Sequence, residues 1–197
     1  MTQEHPRLWV VRHGETEWSR SGRYTGLTDL ELTQEGRLQA DRAGDVLRAA
    51  QLAGIGFGLV LTSPLLRAVE TAALAGFDAA ERTPLAREWD YGDYEGVESA
   101  QIRRDRPGYL IWDQGVPNGE TLAQVSARAD ALVDRVCTQL DAGGNAIVFS
   151  HGHFSRILAA RWLGMEPGMG RHFLLGTAEV CRLGWDRDTP AVEAWGL

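Results

Sequence analysis

Lysine is absent from this 197-residue chain, whose 20 basic residues are all arginine. That absence excludes a lysine Schiff base, a Walker-type lysine and a lysine carboxylate clamp. Cysteine is scarce as well. Cys137 falls in an apolar helical pattern and Cys181 in an apolar strand-like run, so both are expected as small core residues and no disulfide framework is implied. Long apolar runs are missing, since each is soon broken by Gly, Pro or a charge, and no bilayer-spanning segment is expected. Residues 1–6 lack the basic and apolar regions of a signal peptide, so the expected location is cytoplasmic. Positive charge is in deficit too. A formal net charge of -7 argues against nucleic acid or an acidic membrane surface as a partner, because either needs a positive footprint.

What is present is ordinary in bulk: 44% apolar and 24% charged residues suit one globular domain over residues 1–197. Leu8-Trp9-Val10-Val11 is a short β-branched run ending abruptly at Arg12-His13-Gly14, as a buried strand delivering polar groups to its carboxyl end would. A loop is expected to about Leu32. Thr33 then offers a helix cap, and apolar spacing through Leu47 and Ala50 predicts a helix to about Leu52. Leu59-Val60-Leu61-Thr62 reads as a second strand. Ser63-Pro64 reads as the cap and first position of a helix running to about Ala75, which puts Arg67 in its first turn.

A glycine- and acid-rich loop spans residues 88–96, and a polar segment without clear structure follows. Residues from Glu120 to about Leu140 keep helical spacing until Gly143-Gly144-Asn145 stops them. Ala146-Ile147-Val148-Phe149 repeats the first strand's ending at Ser150-His151-Gly152, with a helix expected from about Phe154 to Leu163. The tail, residues 180–185 and 191–195 about a turn at 186–190, reads as a hairpin at a sheet edge. Strands alternating with helices imply an α/β layer fold with a mostly parallel sheet.

In such sheets ligands bind beyond the carboxyl ends of the strands. Arg12-His13, Arg67 and His151 would converge there. Paired guanidiniums match the oxygens of a phosphate dianion, an imidazole adds a donor or a nucleophile, and glycines 14 and 152 allow close backbone approach. One histidine at a strand end is more often structural; two in matching contexts beside arginines point to phosphate chemistry. A metal site is the rival, but cationic arginines would repel a divalent ion, so none is expected. Phosphoryl transfer also needs an acid for the departing alkoxide. Residues 88–96 offer four carboxyl groups, and charge pattern alone does not choose among them.

The ordered motifs Arg12-His13-Gly14-Glu15-Thr16, Ser63-Pro64-Leu65-Leu66-Arg67-Ala68 with Glu70-Thr71-Ala72, Glu88 four residues before Gly92, Gly119-Glu120-Thr121, and Ser150-His151-Gly152 resemble the histidine phosphatase, or phosphoglycerate mutase-like, superfamily over roughly residues 8–185. The resemblance implies a single domain with helices on both faces of its sheet, a phosphohistidine at His13, a phosphate pocket of Arg12, Arg67 and His151, Glu88 as general acid, and no cofactor. Two departures stand out. Leu85-Ala86-Arg87-Glu88 is one residue longer than the family's Leu-x-Glu, and Ser19 stands where many members carry Asn.

Glu95-Gly96, the absence of lysine and a short connection are unlike cofactor-dependent mutases, and Arg103-Arg104 reads as a solvated helix face. Residues 18–19, 24–29, 88–96 and 150–153 are similar to the branch holding sedoheptulose-1,7-bisphosphatase and bacterial acid phosphatases. The expectation is therefore a metal-independent phosphatase acting on small phosphorylated metabolites. A phosphoglycerate mutase is the alternative, and a non-catalytic phospho-ligand module is a third reading. Ser19, Thr25, Gly26, Tyr91, Gly152 and His153 are candidate substrate contacts, each competing with a plain loop role. A homodimer is compatible with the sequence but not implied by it.

Overall fold

The computed structural model describes residues 5–140 and 143–197. In chain order its elements are β1 (Arg7–Arg12), α1 (Glu17–Ser21), α2 (Gln34–Leu52), β2 (Phe57–Thr62), α3 (Leu66–Leu74), β3 (Glu81–Arg82), α4 (Ser99–Asp105), α5 (Ile111–Gln114), α6 (Leu122–Gln139), β4 (Asn145–Ser150), α7 (Gly152–Trp162), β5 (Val180–Asp186) and β6 (Thr189–Ala194). Six strands form one sheet in the order β3-β2-β4-β1-β5-β6. The first four run parallel, β5 lies antiparallel to β1, and β6 closes the edge hairpin. The fold is a single α/β domain, as the alternation of strands and helices predicts.

Both faces of the sheet are buried at the central strands β1 and β4, which is why these read as continuous apolar runs. Leu8 and Val10 face a core shared with Val125, Ala129 and Leu132 of α6 and with Phe154 and Ile157 of α7. Trp9 and Val11 point the other way, to Ala43 and Leu47 of α2 and Ala72 of α3. Strand periodicity of two thus divides β1 between two cores. Helix α2 lies on one face and α7 on the other, so a crevice opens between the carboxyl ends of the adjacent strands β1 and β4. Arg12 is in register with Ser150 there, and the His13 N–H donates to the Ser150 carbonyl over 2.8 Å.

Several boundaries differ from expectation for local reasons. The loop before Leu32 holds the short helix α1, capped by Thr16, whose five residues carry no apolar period. Ser63-Pro64 does not open α3; Leu65 is its N-cap, because Ser63 is fully buried and turned towards His151. The segment after the acidic loop contains α4 and α5. Helix α6 ends at Gln139, before the glycines, while α7 begins two residues earlier than expected. Cys137 is exposed, contrary to its reading as a core residue: it follows Val136 on α6, and one residue turns the side chain by about 100° away from the core. Cys181 is buried on β5. Among the described residues no helix is long and apolar enough to cross a membrane.

Candidate active site

A cavity of about 170 Å³ sits over the carboxyl ends of β1 and β4. Arg12, His13 and Glu88 all reach its wall. His13 Nδ1 lies 2.7 Å from the Gly14 carbonyl oxygen, which can only accept, so Nδ1 carries the ring proton and Nε2 keeps its lone pair. Burial first, then the charges of Arg67 and Arg12, hold His13 well below the usual histidine range. The ring is therefore neutral. Two backbone contacts keep it in place: the Gly14 N–H donates to the Thr71 hydroxyl, and a Cβ on Gly14 would meet the Gly36 carbonyl oxygen of α2 at 2.3 Å.

Arg12 donates through Nη1 to the Leu175 carbonyl, while its buried Nε has no partner. Burial lowers its pKa, and Glu88 opposes that shift. The Glu88 carboxylate accepts three backbone N–H bonds, from Trp89 and Phe154 at 2.9 Å and from His153 at 3.0 Å. Two of these donors belong to the first turn of α7, where the helix dipole favours negative charge. Arg128 fixes the backbone that carries Glu88, donating to the carbonyls of Leu85, Arg87 and Glu88 while paired with Glu120 at 2.7 Å. The other three acids of the loop have backbone or side-chain partners elsewhere: Asp90 accepts from Gly92, Asp93 from Asn118, and Glu95 from the N–H groups of Gly26 and Thr28. Geometry thus separates Glu88 from its neighbours, which charge pattern could not.

Arg67 and His151 stand one layer behind the wall, both fully buried. Arg67 Nε donates to His151 Nδ1 over 3.1 Å, which leaves the His151 proton on Nε2, 2.8 Å from the Ser63 hydroxyl. The His13 and His151 ring centroids are 5.2 Å apart. The remaining Arg67 bonds go to the carbonyls of Thr25, Gly26 and Thr28. Burial lowers the Arg67 pKa and holds His151 well below its usual range, with Arg67 the next cause for the histidine.

Of the expected substrate contacts, Ser19, Thr25, Tyr91, Gly152 and His153 reach the cavity wall, and Gly26 does not. Ser19 is also engaged locally, in a capping box with Thr16 that uses its hydroxyl both ways. Gly26 holds the loop instead, since a Cβ there would lie 2.7 Å from both Glu95 Oε2 and the Trp89 carbonyl oxygen. The Tyr91 hydroxyl lies 2.7 Å from His153 Nδ1. Burial keeps that phenol protonated well past its usual range, and it pushes His153 down to about 3, with Arg156 and Arg12 adding to the effect. Tyr91 therefore donates, and His153 is a neutral ring with its proton on Nε2.

Sequence reasoning missed Arg156, which also lines the cavity. Its signal was available: it follows Gly152 by four residues and His153 by three on α7, and so shares their helix face. Among the described residues no cluster of three or more His, Cys, Asp or Glu side chains is placed to hold a metal ion.

A sheet of this order with a neutral histidine and guanidiniums at its crevice defines an α/β enzyme of the phosphoryl-transfer class. The chain belongs to the histidine phosphatase superfamily (branch 1), which it matches over residues 8–197. It is 41% identical over 191 residues to an acid phosphatase of Mycobacterium tuberculosis, covering 97% of this chain and 92% of that protein. It is 39% identical over 186 residues to a sedoheptulose 1,7-bisphosphatase of Saccharomyces cerevisiae, covering 81% and 68% of the two. The solved structure of a Mycobacterium tuberculosis open reading frame superposes with a TM-score of 0.89 at 40% identity, over 97% of each chain.

Proposed function

We propose that this chain hydrolyses phosphate monoesters of small phosphorylated metabolites through a phosphohistidine at His13. One observation carries the reading: a neutral His13, its Nε2 unprotonated, shares a cavity wall with an incompletely paired arginine and a carboxyl group. The phosphoryl group docks against Arg12, in front of Arg67, whose buried positive charge supports it from behind while its bonds to His151 and the 25–28 backbone hold that layer in place. Glu88 takes up a proton as the phosphoryl dianion docks beside it; His13 Nε2 then attacks phosphorus as the ester P–O bond breaks, and Glu88 gives that proton to the leaving oxygen. Glu88, now a carboxylate, takes a proton from the water that cleaves the P–N bond, which releases phosphate and restores both groups. No step calls for a metal, and the guanidiniums would repel a divalent ion. The relatives named for phosphatases support this direction over a mutase, as does Glu95, whose carboxylate is bound to the Gly26–Thr28 backbone. A cytoplasmic location belongs to the same reading.

His13→Ala is expected to lower kcat on p-nitrophenyl phosphate by at least about 10³-fold. Wild type quenched during turnover should carry acid-labile, alkali-stable phosphate. Normal turnover by the variant would refute the reading. Transfer between 2- and 3-phosphoglycerate that depends on a bisphosphoglycerate primer would instead establish a mutase.

A further inference from the structure

Three guanidiniums line the cavity, those of Arg12, Arg23 and Arg156, against a single carboxylate, Glu88. Arg12 lies beside the nucleophile, and Arg23 has Glu98 at 3.6 Å. Arg156 has no carboxylate within ion-pair distance among the described residues. Its Nε donates to the Gly170 carbonyl over 3.0 Å, one N–H of Nη2 donates to the Arg171 carbonyl over 2.9 Å, and its guanidinium lies 4.8 Å from the Trp112 ring centre. A guanidinium has five N–H donors, so these two bonds leave three, including both on Nη1. The backbone bonds and the Trp112 stack set the fork rigidly without neutralising it.

The charges around it leave it only partly balanced. Arg171 close by is paired with Asp113, and the anion that acts on Arg156 across the cavity is Glu88, which lies beyond ion-pair distance and acts on Arg12 as well; Tyr24, Tyr91 and a neutral His153 add no charge. A half-buried cation that shares one carboxylate with a second guanidinium is balanced more fully when a ligand supplies another anion.

Resting on the phosphatase reading, we infer that Arg156 is the subsite for a second anionic group on the substrate, so that the preferred substrates are phosphate esters that also carry a phosphate or carboxylate elsewhere on the skeleton. The two guanidiniums share one helix and one cavity. A Cβ on Gly152 would lie 3.4 Å from the Arg12 guanidinium carbon, Arg156 is four residues further along the same face of α7, and Arg12 and Arg156 both line the cavity. A substrate whose phosphoryl group meets Arg12 can therefore present a second anion to Arg156 within the same cavity. The neutral Nε2–H of His153 lies between the two positions in sequence and offers a donor to an uncharged oxygen of that skeleton.

The test compares matched pairs of substrates by initial rates of phosphate release: glycerol 1-phosphate against 3-phosphoglycerate for an added carboxylate, and fructose 1-phosphate against fructose 1,6-bisphosphate for an added phosphate. Wild type is expected to favour the doubly anionic member of at least one pair by about tenfold or more in kcat/KM, and the pair that does so identifies the anion. In Arg156→Gln that preference should collapse, chiefly through KM, with Arg156→Lys restoring part of it. A wild type without preference in either pair, or an Arg156→Gln variant that loses activity equally on both members, overturns the inference. Wild type alone therefore suffices should the variant fold poorly. Failure to release phosphate from any of the four or from p-nitrophenyl phosphate would instead overturn the phosphatase reading itself, and this one with it.

Discussion

His13 shows how one side chain acquires a chemical role from its surroundings. The Gly14 carbonyl selects its tautomer, burial and two guanidiniums keep it from taking a second proton, and what remains is one lone pair facing the cavity. A titration of ¹⁵N-histidine-labelled protein is expected to show the His13 ring still neutral at about pH 5.5, a unit below an ordinary histidine. A midpoint near 6.5 would contradict the proposed source of nucleophilicity. Gly36 matters at the same scale although it lies well outside the motif: a Cβ there would meet the Glu15 carbonyl oxygen at 2.1 Å, with backbone on both sides and nothing flexible to yield. Gly36→Ala should destabilise the fold by about 1–3 kcal/mol in denaturant melts and lower turnover by displacing the segment that follows His13. Neither contact was legible beforehand, because spacing shows which residues lie on one element and not which backbones touch.

At the scale of elements, the strands and long helices were the readable part. Short apolar runs that stop abruptly at polar motifs are what parallel strands buried on both faces require, and Thr33 caps α2 through the Gly36 N–H as its sequence suggests. The short helices α1, α4 and α5 escaped notice because four to seven residues carry too little periodicity. Ser63-Pro64 misled by two residues: the Ser63 hydroxyl accepts from the Leu65 N–H and meets His151, but the helix itself starts only after Leu65. The catalytic acid proposed at Glu88 depends on such an arrangement between elements. Arg128, on α6, ties three carbonyls of the residue 85–88 segment to Glu120. Arg128→Met would leave those carbonyls and a carboxylate without their partner, at a cost of roughly 2–4 kcal/mol. Its kcat should fall more than its KM rises, since Glu88 would lose its placement while Arg12 and His13 keep theirs. Unchanged kcat in a folded variant would show that Glu88 is held by α7 alone.

For the whole molecule, the buried His13 and His151 and the half-buried His153 are kept neutral in the folded state while the unfolded chain protonates them near pH 6.5. Their folded values lie below the unfolded one, so the unfolded state binds protons first as the solution acidifies. The associated stability is complete above about pH 6.5 and is lost as pH falls towards the folded values, about 3 for His153. The slope is roughly 1.4 kcal/mol per pH unit for each histidine within its window. Stability measured by denaturant unfolding should thus decline from about pH 6.5 to about pH 5, and His153→Gln should decline less steeply than wild type. Equal slopes would mean that His153 titrates in the folded protein near its ordinary value.

The strand order carries a consequence for how the chain comes into being. Strand β4 is inserted between β1 and β2, yet it is made long after both. Until Asn145–Ser150 leaves the ribosome, a nascent chain carries two apolar strands whose facing edges have no neighbour, the situation that invites edge-to-edge association with other chains. The same insertion that brings Ser150 and His151 beside His13 therefore leaves the unfinished sheet open along its middle until the last third of the chain is made.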